Sequence, residues 1–462
     1  MRLRIVAAAY LSMVSDSKRN PIVLIHGYSA SGESFKVWEQ RLEARGYDVS
    51  TIHICSYVTL TNEVTIKDIA EGFDRALSID GGLAPDEEFD AIVHSTGMLV
   101  IRSWLTTYSS KRRNRLKHLI GLAPATFGSP LAHKGRSWLG AMFKGNKEFG
   151  PDFLEAGDRV LDGLELGSRF TWDLAHKDLL SSEVFYGTKT DTPYVFTFCG
   201  TNPYSGIAKF ISDPGTDGTV RWAGCALNTR KIVLDLTKQP EQGQRIDFDG
   251  SSNDGIAPTV LVKGLNHNTI MSNPSNELVD AVCEALEFSP EQNIQDWYYK
   301  NSDRLTPKDI NPWQQFIVRA VDERDDPIPD YYIQIFTQGN EEFQGLENFG
   351  INVHTYSGDK SLRCFYVNLN GILNPQNLLL PTTLPNLVMR VIASSGSQLI
   401  DYLGIKNSGE WDAQLDISYL LRESKVKLFW PFTTTLIELK LNREPRKEVA
   451  QFLQRIKATK IY

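Results

Sequence analysis

The sequence predicts an α/β domain with a mostly parallel sheet, followed by a C-terminal antiparallel β-sandwich. Strand-like and helix-like segments alternate over residues 20–290, which indicates a parallel sheet with helices on both faces. Residues 291–312 are polar and contain prolines, so we interpret them as a linker. From residue 313 onward short strands alternate with turn residues, and helical periodicity returns only at 447–456. We therefore predict domains at 1–290 and 313–462, the second with a terminal helix.

The composition is that of an ordinary globular protein. The chain has 462 residues, of which 41% are hydrophobic and 23% charged, with a net charge of −7. This content is enough to bury one large core or two smaller ones. No excess of basic residues is present to neutralise phosphates, so the sequence argues against general nucleic-acid binding.

The cysteines and the first residues bear on compartment and cofactors. Five scattered cysteines form no CxxC motif and no Cys/His cluster, so we predict no disulfide framework, no metal and no other cofactor. The apolar residues 5–14 are followed by no small-x-small cleavage site, and we interpret them as a leading strand or helix. The sequence contains no run of 18 apolar residues, so it predicts no membrane span. We expect a cytoplasmic protein, with export by a route without a signal peptide left open.

The elements of the first domain follow from periodicity. Ile22–Ile25 is a continuous aliphatic run, as expected of a strand buried on both faces. The later predicted strands are 49–55, 89–93, 116–122, 194–198 and 259–262, and the predicted helices are 34–45, 66–77, 98–105 and 278–286. An insertion at about 131–192 is rich in large apolar residues such as Trp138 and Phe153. It predicts a helical cap that walls an apolar pocket; the alternative is a simple cover for one sheet edge.

A serine at the end of the third strand stands in the context of a nucleophile. In Ile92–Met98 a buried strand leads to Ser95, then to Thr96, Gly97 and an apolar helix. This is the strand–turn–helix context of a nucleophile elbow, which holds the serine at a strained bend above the sheet. Gly97 is required because a side chain would collide where helix and strand cross. The Thr96 N–H is predicted to donate to an oxyanion. The usual Gly-x-Ser-x-Gly pattern has a glycine where this chain has Val93.

Two further loops supply the partners of Ser95. The glycine-rich loop His26–Gly32 follows the first strand, and we assign the N–H of Tyr28 as the second oxyanion donor. His267 follows the strand at 259–262, at a carboxyl edge where ligands collect in doubly wound sheets. We predict that its Nε2 accepts the Ser95 proton and returns it to the leaving group.

Three aspartates are candidates for the acid that orients His267. Asp217 lies in a loop after the strand at 194–198, at a carboxyl edge of the sheet. Asp254 leads into an amino edge, and Asp213 is the third candidate. We prefer Asp217, because the acid must approach the histidine from the carboxyl edge.

These residues resemble the lipase and esterase branch of the α/β-hydrolases over about residues 20–290. The resemblance lies in His26-Gly27, His94–Gly97, Asp217-Gly218 and His267, which follow the order Ser, Asp, His. Leu122–Pro130 is also similar to the loop after the nucleophile of bacterial and fungal lipases, which carry a lid next. The resemblance implies an α/β-hydrolase fold and a serine hydrolase of ester bonds, while the metal sites of such lipases are not recognisable.

The predicted function is hydrolysis of carboxylic esters, with lipids or other acyl esters as substrates, through an acyl-enzyme. The alternatives are an acyltransferase or thioesterase that uses the same residues, and a non-catalytic scaffold that binds partners. The segment 318–334 resembles the opening of transthyretin-like or lipid-binding β-sandwich modules. It makes the C-terminal domain a candidate for peripheral membrane or protein contact, with a stabilising or dimerising role as the alternative. The oligomeric state is left open.

Overall fold

A computed structural model describes the greater part of the chain. The described residues are 19–27, 32–49, 52–55, 62–78, 82–132, 157–187, 191–204, 214–238, 245–249, 255–338, 343–345, 352–370, 387–403, 406–407, 410–416 and 428–451. The predicted leading segment at 5–14 lies outside them. Within them, no helix combines the length and the apolar character that a membrane crossing requires.

The first part of the fold is a parallel sheet. Its six strands follow the order β2-β1-β3-β4-β5-β8, and every neighbouring pair is parallel. The strands up to residue 262 are β1 (Ile22–Ile25), β2 (Ile52–Cys55), β3 (Phe89–His94), β4 (Leu116–Leu122), β5 (Tyr194–Gly200), β6 (Thr229–Asp235), β7 (Ile246–Asp249) and β8 (Val260–Val262). The central strand β3 is buried along its whole length, as expected of a strand covered on both faces.

The helices form two groups that pack separately. They are α1 (Lys36–Glu43), α2 (Ile66–Ala76), α3 (Gly97–Thr107), α4 (Ser110–Arg113), α5 (Asp158–Leu164), α6 (Arg169–Asp178), α7 (Thr269–Ser272), α8 (Asn276–Leu286) and α9 (Ile294–Leu305). Among the described residues, α2, α3, α5 and α6 contact one another, and so do α1, α7, α8 and α9. The predicted fold class, a mostly parallel sheet with helices and a β-rich C-terminal part, is confirmed.

Sequence signals define several helix ends. The Thr65 hydroxyl accepts the Asp68 N–H, and the Asp68 carboxylate accepts the Thr65 N–H at 2.8 Å, which forms a capping box at the start of α2. The Ser275 hydroxyl caps α8 by accepting the Leu278 N–H. These local bonds satisfy N–H groups that have no partner inside the helix.

The second part of the fold contains two sheets that share one apolar core. One is antiparallel, in the order β11-β10-β14-β17-β16, and the other follows the order β12-β13-β9-β18-β6-β7, with β15 paired to β18. The strands are β9 (Trp313–Asp322), β10 (Tyr331–Gln338), β11 (Phe343–Gly345), β12 (Val353–Thr355), β13 (Leu362–Asn368), β14 (Leu387–Ala393), β15 (Ile400–Leu403), β16 (Lys406–Asn407), β17 (Glu410–Asp416) and β18 (Thr434–Pro445). Ile333 and Val391 of the first sheet pack with Val318 and Leu439 of the second.

The second sheet includes strands from both sides of the predicted domain boundary. Strands β6 and β7 belong to the interval predicted as part of the 1–290 domain, yet they complete the second sheet through β18. Strand β18 also runs parallel to both β6 and β9, so this sheet is mixed rather than antiparallel. Strand partners are chosen by long-range packing, which a local hydrophobic pattern does not record.

The predicted linker 291–312 contains the helix α9. Asn293 caps it by accepting the N–H groups of Gln295 and Asp296, and Trp297 packs on Phe196 of β5 with ring centroids 4.4 Å apart. The buried residues of α9 are Trp297, Asn301 and Leu305, and the partly buried Ile294 and Tyr298 pack on the same core, so one face of the helix holds it on the sheet. Of the terminal helix predicted at 447–456, Lys447–Val449 forms a 3₁₀ turn, and the residues from 452 onward lie outside the described part of the chain.

We expect Gly97→Ala to lower the stability of the fold. A Cβ at Gly97 would lie 2.7 Å from the carbonyl oxygen of Ile25, so β1 and α3 would have to separate. Overpacking of this kind costs about 1–3 kcal/mol. The measurement is the free energy of unfolding in denaturant.

Gly72→Ala is the matched control for this change. Gly72 is an exposed residue inside α2, and its added Cβ would meet nothing within 4 Å. Alanine in a helix is favoured over glycine by about 0.5–1 kcal/mol, so this variant should be more stable than the parent chain. Equal shifts for the two variants would contradict the close crossing of β1 and α3.

Candidate active site

Ser95 lies at a strained bend between β3 and α3. Its φ is +51°, a region that residues with a side chain seldom adopt. The bend is bonded on both sides to the chain that leaves β4: Ser95 N–H donates to the Leu122 carbonyl at 3.2 Å, and the Ser95 carbonyl accepts from Ala125 N–H at 3.1 Å. This arrangement has the form of a nucleophile elbow.

Two positions near Ser95 explain which side chains the elbow tolerates. A Cβ at Gly27 would lie 2.9 Å from the Ser95 Cβ, so the chain leaving β1 passes directly against the serine. Val93 stands where the lipase pattern has glycine and pairs in the sheet with Ile25 and Gly121. Val93 is fully buried between these two strands, so an aliphatic core residue occupies the position before the elbow.

His267 bridges the serine and an aspartate. Its Nε2 lies 3.1 Å from the Ser95 Oγ, and its Nδ1 lies 2.8 Å from Oδ2 of Asp217. All three residues are buried, and the His267 N–H also donates to the Asp217 carbonyl oxygen at 3.1 Å. The structure therefore brings together the three residues that the sequence analysis selected for a proton relay.

The Asp217 carboxylate is held by its own loop. Its Oδ1 accepts the N–H groups of Thr219 at 2.9 Å and Val220 at 2.8 Å, which leaves Oδ2 for His267. The two other acid candidates, Asp213 and Asp254, lie outside the described residues. Gly255, next to the second of these, is bonded to Val195 at the amino end of β5, away from the carboxyl edge.

The predicted oxyanion donors are only partly described. Thr96 is fully buried and is the N-cap residue of α3, directly after the serine, so its backbone lies at a helix N-terminus, where negative charge is favoured. Tyr28 lies outside the described residues. Only the neighbouring Gly27 shows that this loop starts beside Ser95.

His94 contacts His267 and was missed by the sequence analysis. Its Nε2 lies 3.1 Å from the His267 carbonyl oxygen, and the two rings lie 4.8 Å apart. Burial, together with the nearby His267, holds the pKa of His94 well below its ordinary value. The ring is therefore neutral, and its Nε2–H donates to the carbonyl. Its place directly before the serine was the signal available in the sequence.

Comparison with known proteins gives a whole-chain match at the level of structure. No protein-family model and no curated protein matches the sequence. The solved structure of phospholipase PlaB from Legionella pneumophila is 22% identical with a TM-score of 0.74, and the match covers 96% of this chain and 97% of that one. The complex of PlaB with thio-NAD matches at 22% identity and a TM-score of 0.72, with the same coverage.

This chain has the α/β-hydrolase fold of lipases and esterases. The central parallel sheet, the elbow and the match to PlaB over nearly the whole length agree on this. The lipase of Staphylococcus hyicus also matches, at 13% identity and a TM-score of 0.36, over 62% of this chain and 97% of that one. A likeness that low adds no further support.

In this α/β-hydrolase fold a buried ion pair connects the helix after Ser95 to the insertion. Arg102 of α3 donates to both carboxylate oxygens of Asp178 in α6, at 2.8 and 2.9 Å, and to the Thr126 carbonyl at 2.6 Å. Tyr186 donates to the same carboxylate at 2.6 Å. The side chains of Arg102 and Asp178 are fully buried, so the end of the insertion is anchored on α3.

The first part of the predicted cap is not described. Residues 133–156, which include Trp138, Phe143 and Phe153, lie outside the described residues, and the apolar substrate pocket stays a prediction. A cavity of about 970 Å³ lies instead between the Asp217 loop and the second sheet. Its described lining includes Gly215, Arg221, Trp313 and Tyr366, and neither Ser95 nor His267. Among the described residues, no group of three or more His, Cys, Asp or Glu side chains is placed to hold a metal ion.

We expect Asp178→Asn to destabilise the protein strongly. It would leave the buried Arg102 guanidinium without its counter-ion, and breaking a buried pair in this way costs about 3–5 kcal/mol. The free energy of unfolding in denaturant measures the effect.

Asp173→Asn is the control on the same helix. Asp173 pairs with Arg169 one turn away, and both side chains are about half exposed. Exposed pairs of this kind contribute about 0.5 kcal/mol or less. A loss of stability in Asp178→Asn no greater than in Asp173→Asn would show that the buried pair does not anchor the insertion.

Proposed function

We propose that the chain hydrolyses carboxylic esters, with lipids as the substrate class, through Ser95, His267 and Asp217. The observation that supports this most directly is the continuous hydrogen-bonded chain from the Ser95 Oγ through both ring nitrogens of His267 to the Asp217 carboxylate. A serine at a strained bend, with its base within hydrogen-bonding reach, is the arrangement that nucleophilic catalysis requires.

The first half of the reaction transfers the acyl group to the enzyme. The Ser95 Oγ attacks the ester carbonyl carbon while its proton passes to Nε2 of His267. The carbonyl oxygen becomes an oxyanion, for which the Thr96 N–H is one proposed donor and the Tyr28 N–H the other. The tetrahedral intermediate then collapses, the bond to the alcohol oxygen breaks, and His267 returns the proton to the leaving alcohol.

The second half regenerates the serine. A water molecule gives a proton to His267 and attacks the acyl carbon, and the new intermediate releases the carboxylic acid as the Ser95 oxygen recovers its proton. Asp217 keeps the proton on Nδ1 of His267 and stabilises the imidazolium that forms twice in each cycle. Because the relay is buried, few water molecules screen this interaction.

The substrate class rests on the fold and on the name of the matched protein. PlaB is named a phospholipase, and the match extends over 97% of its chain. The 22% identity supports a common fold. The name of the matched protein adds a substrate class, and we therefore propose a glycerophospholipid as the first natural substrate to test. The cytoplasmic location, the absence of a cofactor and the docking role of the C-terminal part stay predictions.

We expect Ser95→Ala to abolish ester hydrolysis without unfolding the protein. Loss of a triad nucleophile costs more than about a thousandfold in kcat, and Asp217→Asn, which disturbs the histidine tautomer, should cost about ten-thousandfold. The assay is hydrolysis of p-nitrophenyl esters of increasing chain length and of phosphatidylcholine in mixed micelles. Covalent labelling by a fluorophosphonate probe, followed by peptide mapping, identifies the nucleophile.

Ser103→Ala is the matched control for the nucleophile. Ser103 is also buried, lies two turns further along α3, and loses the same single oxygen on substitution. It should keep both labelling and turnover. Probe attachment at a residue other than Ser95, or turnover by Ser95→Ala above about a thousandth of the parent, would contradict the proposal. Acyl transfer to an added alcohol in preference to water would favour the acyltransferase alternative.

A further inference from the structure

The loop that carries Asp217 rests on the second sheet. The Tyr366 hydroxyl, on β13, donates to the carbonyl oxygen of Gly215, two residues before the aspartate. The same carbonyl accepts the Trp222 N–H at 3.0 Å. Tyr366 is fully buried and stacks on Trp313 of β9, with ring centroids 4.6 Å apart and planes 22° apart. A rigid aromatic pair therefore presents one hydroxyl to the loop.

The backbone of the loop lies in direct contact with this pair. A Cβ at Gly215 would lie 2.7 Å from the Tyr366 Oη and 2.8 Å from the Trp313 ring. The φ of Gly215 is +75°, a conformation that glycine adopts without strain. The close approach and the positive φ both require a residue without a side chain at this point.

The far end of the loop is bonded to the same sheet. Arg221 is buried, and its guanidinium donates to the Asn352 Oδ1 at 2.6 Å and to the Cys364 Sγ at 3.3 Å. It also lies over the Tyr366 ring, 4.6 Å from the centroid. The loop is thus held at Gly215 and at Arg221, on either side of Asp217.

The loop between these two points transmits its position to the relay. Thr216 and Arg221 form an antiparallel bridge, and the Asp217 N–H donates to the Val220 carbonyl, so the segment is a closed turn. The carboxylate is bonded inside this turn to the Thr219 and Val220 N–H groups. Because these bonds join the carboxylate to the turn, a shift of the turn carries Oδ2 with it.

We propose that Tyr366 is a positioning residue for the reaction, which sets the place of Asp217 relative to His267 from the second sheet. This inference rests on the proposed function for its kinetic consequences. The bonds of the hydroxyl go to the backbone of Gly215 and of Ala223, on either side of Asp217, so it acts on the carboxylate through the backbone. The β-rich part of the chain then has a catalytic purpose besides packing.

The test is Tyr366→Phe, which removes one oxygen and keeps the ring. A displacement of about 1 Å in a catalytic group can cost about a hundredfold in rate. We expect kcat on a p-nitrophenyl ester to fall between about tenfold and about a hundredfold, with KM changed less than about twofold, because substrate contacts are not altered. The apparent pKa in the kcat/KM profile should also fall, because a displaced carboxylate stabilises the imidazolium less.

Tyr331→Phe is the matched control. Tyr331 is buried on β10, and its hydroxyl donates to the Val318 carbonyl at 3.2 Å and the Ser361 carbonyl at 3.0 Å, away from the Asp217 loop. It should lose a comparable amount of stability with kcat and the pH profile unchanged. Parent-like kcat and pH profile in Tyr366→Phe, as in Tyr331→Phe, would overturn the inference.

Two additions make the outcome decisive. The low-field proton NMR resonance of the His267 Nδ1–H reports the bond to Asp217 without turnover; it should move or broaden in Tyr366→Phe and stay unchanged in Tyr331→Phe. An unlabelled, inactive parent would refute the proposed function, whereas an unchanged resonance would refute the positioning role.

If Tyr366→Phe does not fold, Asn352→Ala is the second variant, because it removes a hydrogen-bond partner of Arg221 at the far end of the loop. It should produce the same changes, smaller in size. Parent-like behaviour in Asn352→Ala would overturn the inference.

Discussion

The constraint on which the rest of the structure depends is the burial of the Asp217 carboxylate. A carboxylate removed from water is costly unless hydrogen bonds and a cationic or polar partner compensate it. Here two backbone N–H groups of its own turn bind one oxygen, and His267 binds the other. Each bond requires a backbone held in a definite place. The turn, the end of β8 and the elbow at Ser95 must therefore keep a fixed relation.

Packing maintains that relation by joining the two parts of the chain. One continuous apolar core contains the central sheet, the helices around it, and also Trp313, Ile317 and Tyr366 of the second sheet. Strand β6 follows the parallel-sheet part of the chain and pairs with β18 in the second sheet, where the Thr434 hydroxyl donates to the Ala223 carbonyl, and β7 pairs with β6. The β-rich part therefore packs behind the Asp217 loop and shares an apolar core with the parallel sheet.

The limits of the sequence-based interpretation follow from the same geometry. Helix α9 packs one face on the core, but the segment around it is polar and contains prolines, so its composition indicated a linker. His94 donates to a carbonyl 173 residues away, and Tyr366 donates to one 151 residues away. The hydrophobic periodicity of a segment reports its own secondary structure and burial. It does not report which distant residue the segment contacts. Strand direction in the second sheet escaped prediction for the same reason.

The sequence by itself determined the secondary-structure elements and the residue types at the candidate site. These are the buried strands, the strand–turn–helix at Ser95, and a histidine after the last strand of the parallel sheet. These depend on side-chain periodicity and on backbone preferences that act over a few residues. Only the tertiary structure decided that an aspartate 50 residues before His267 and a serine 172 residues before it meet on one imidazole. That meeting depends on strand order and on the closure of a turn against a distant sheet, which long-range packing alone establishes.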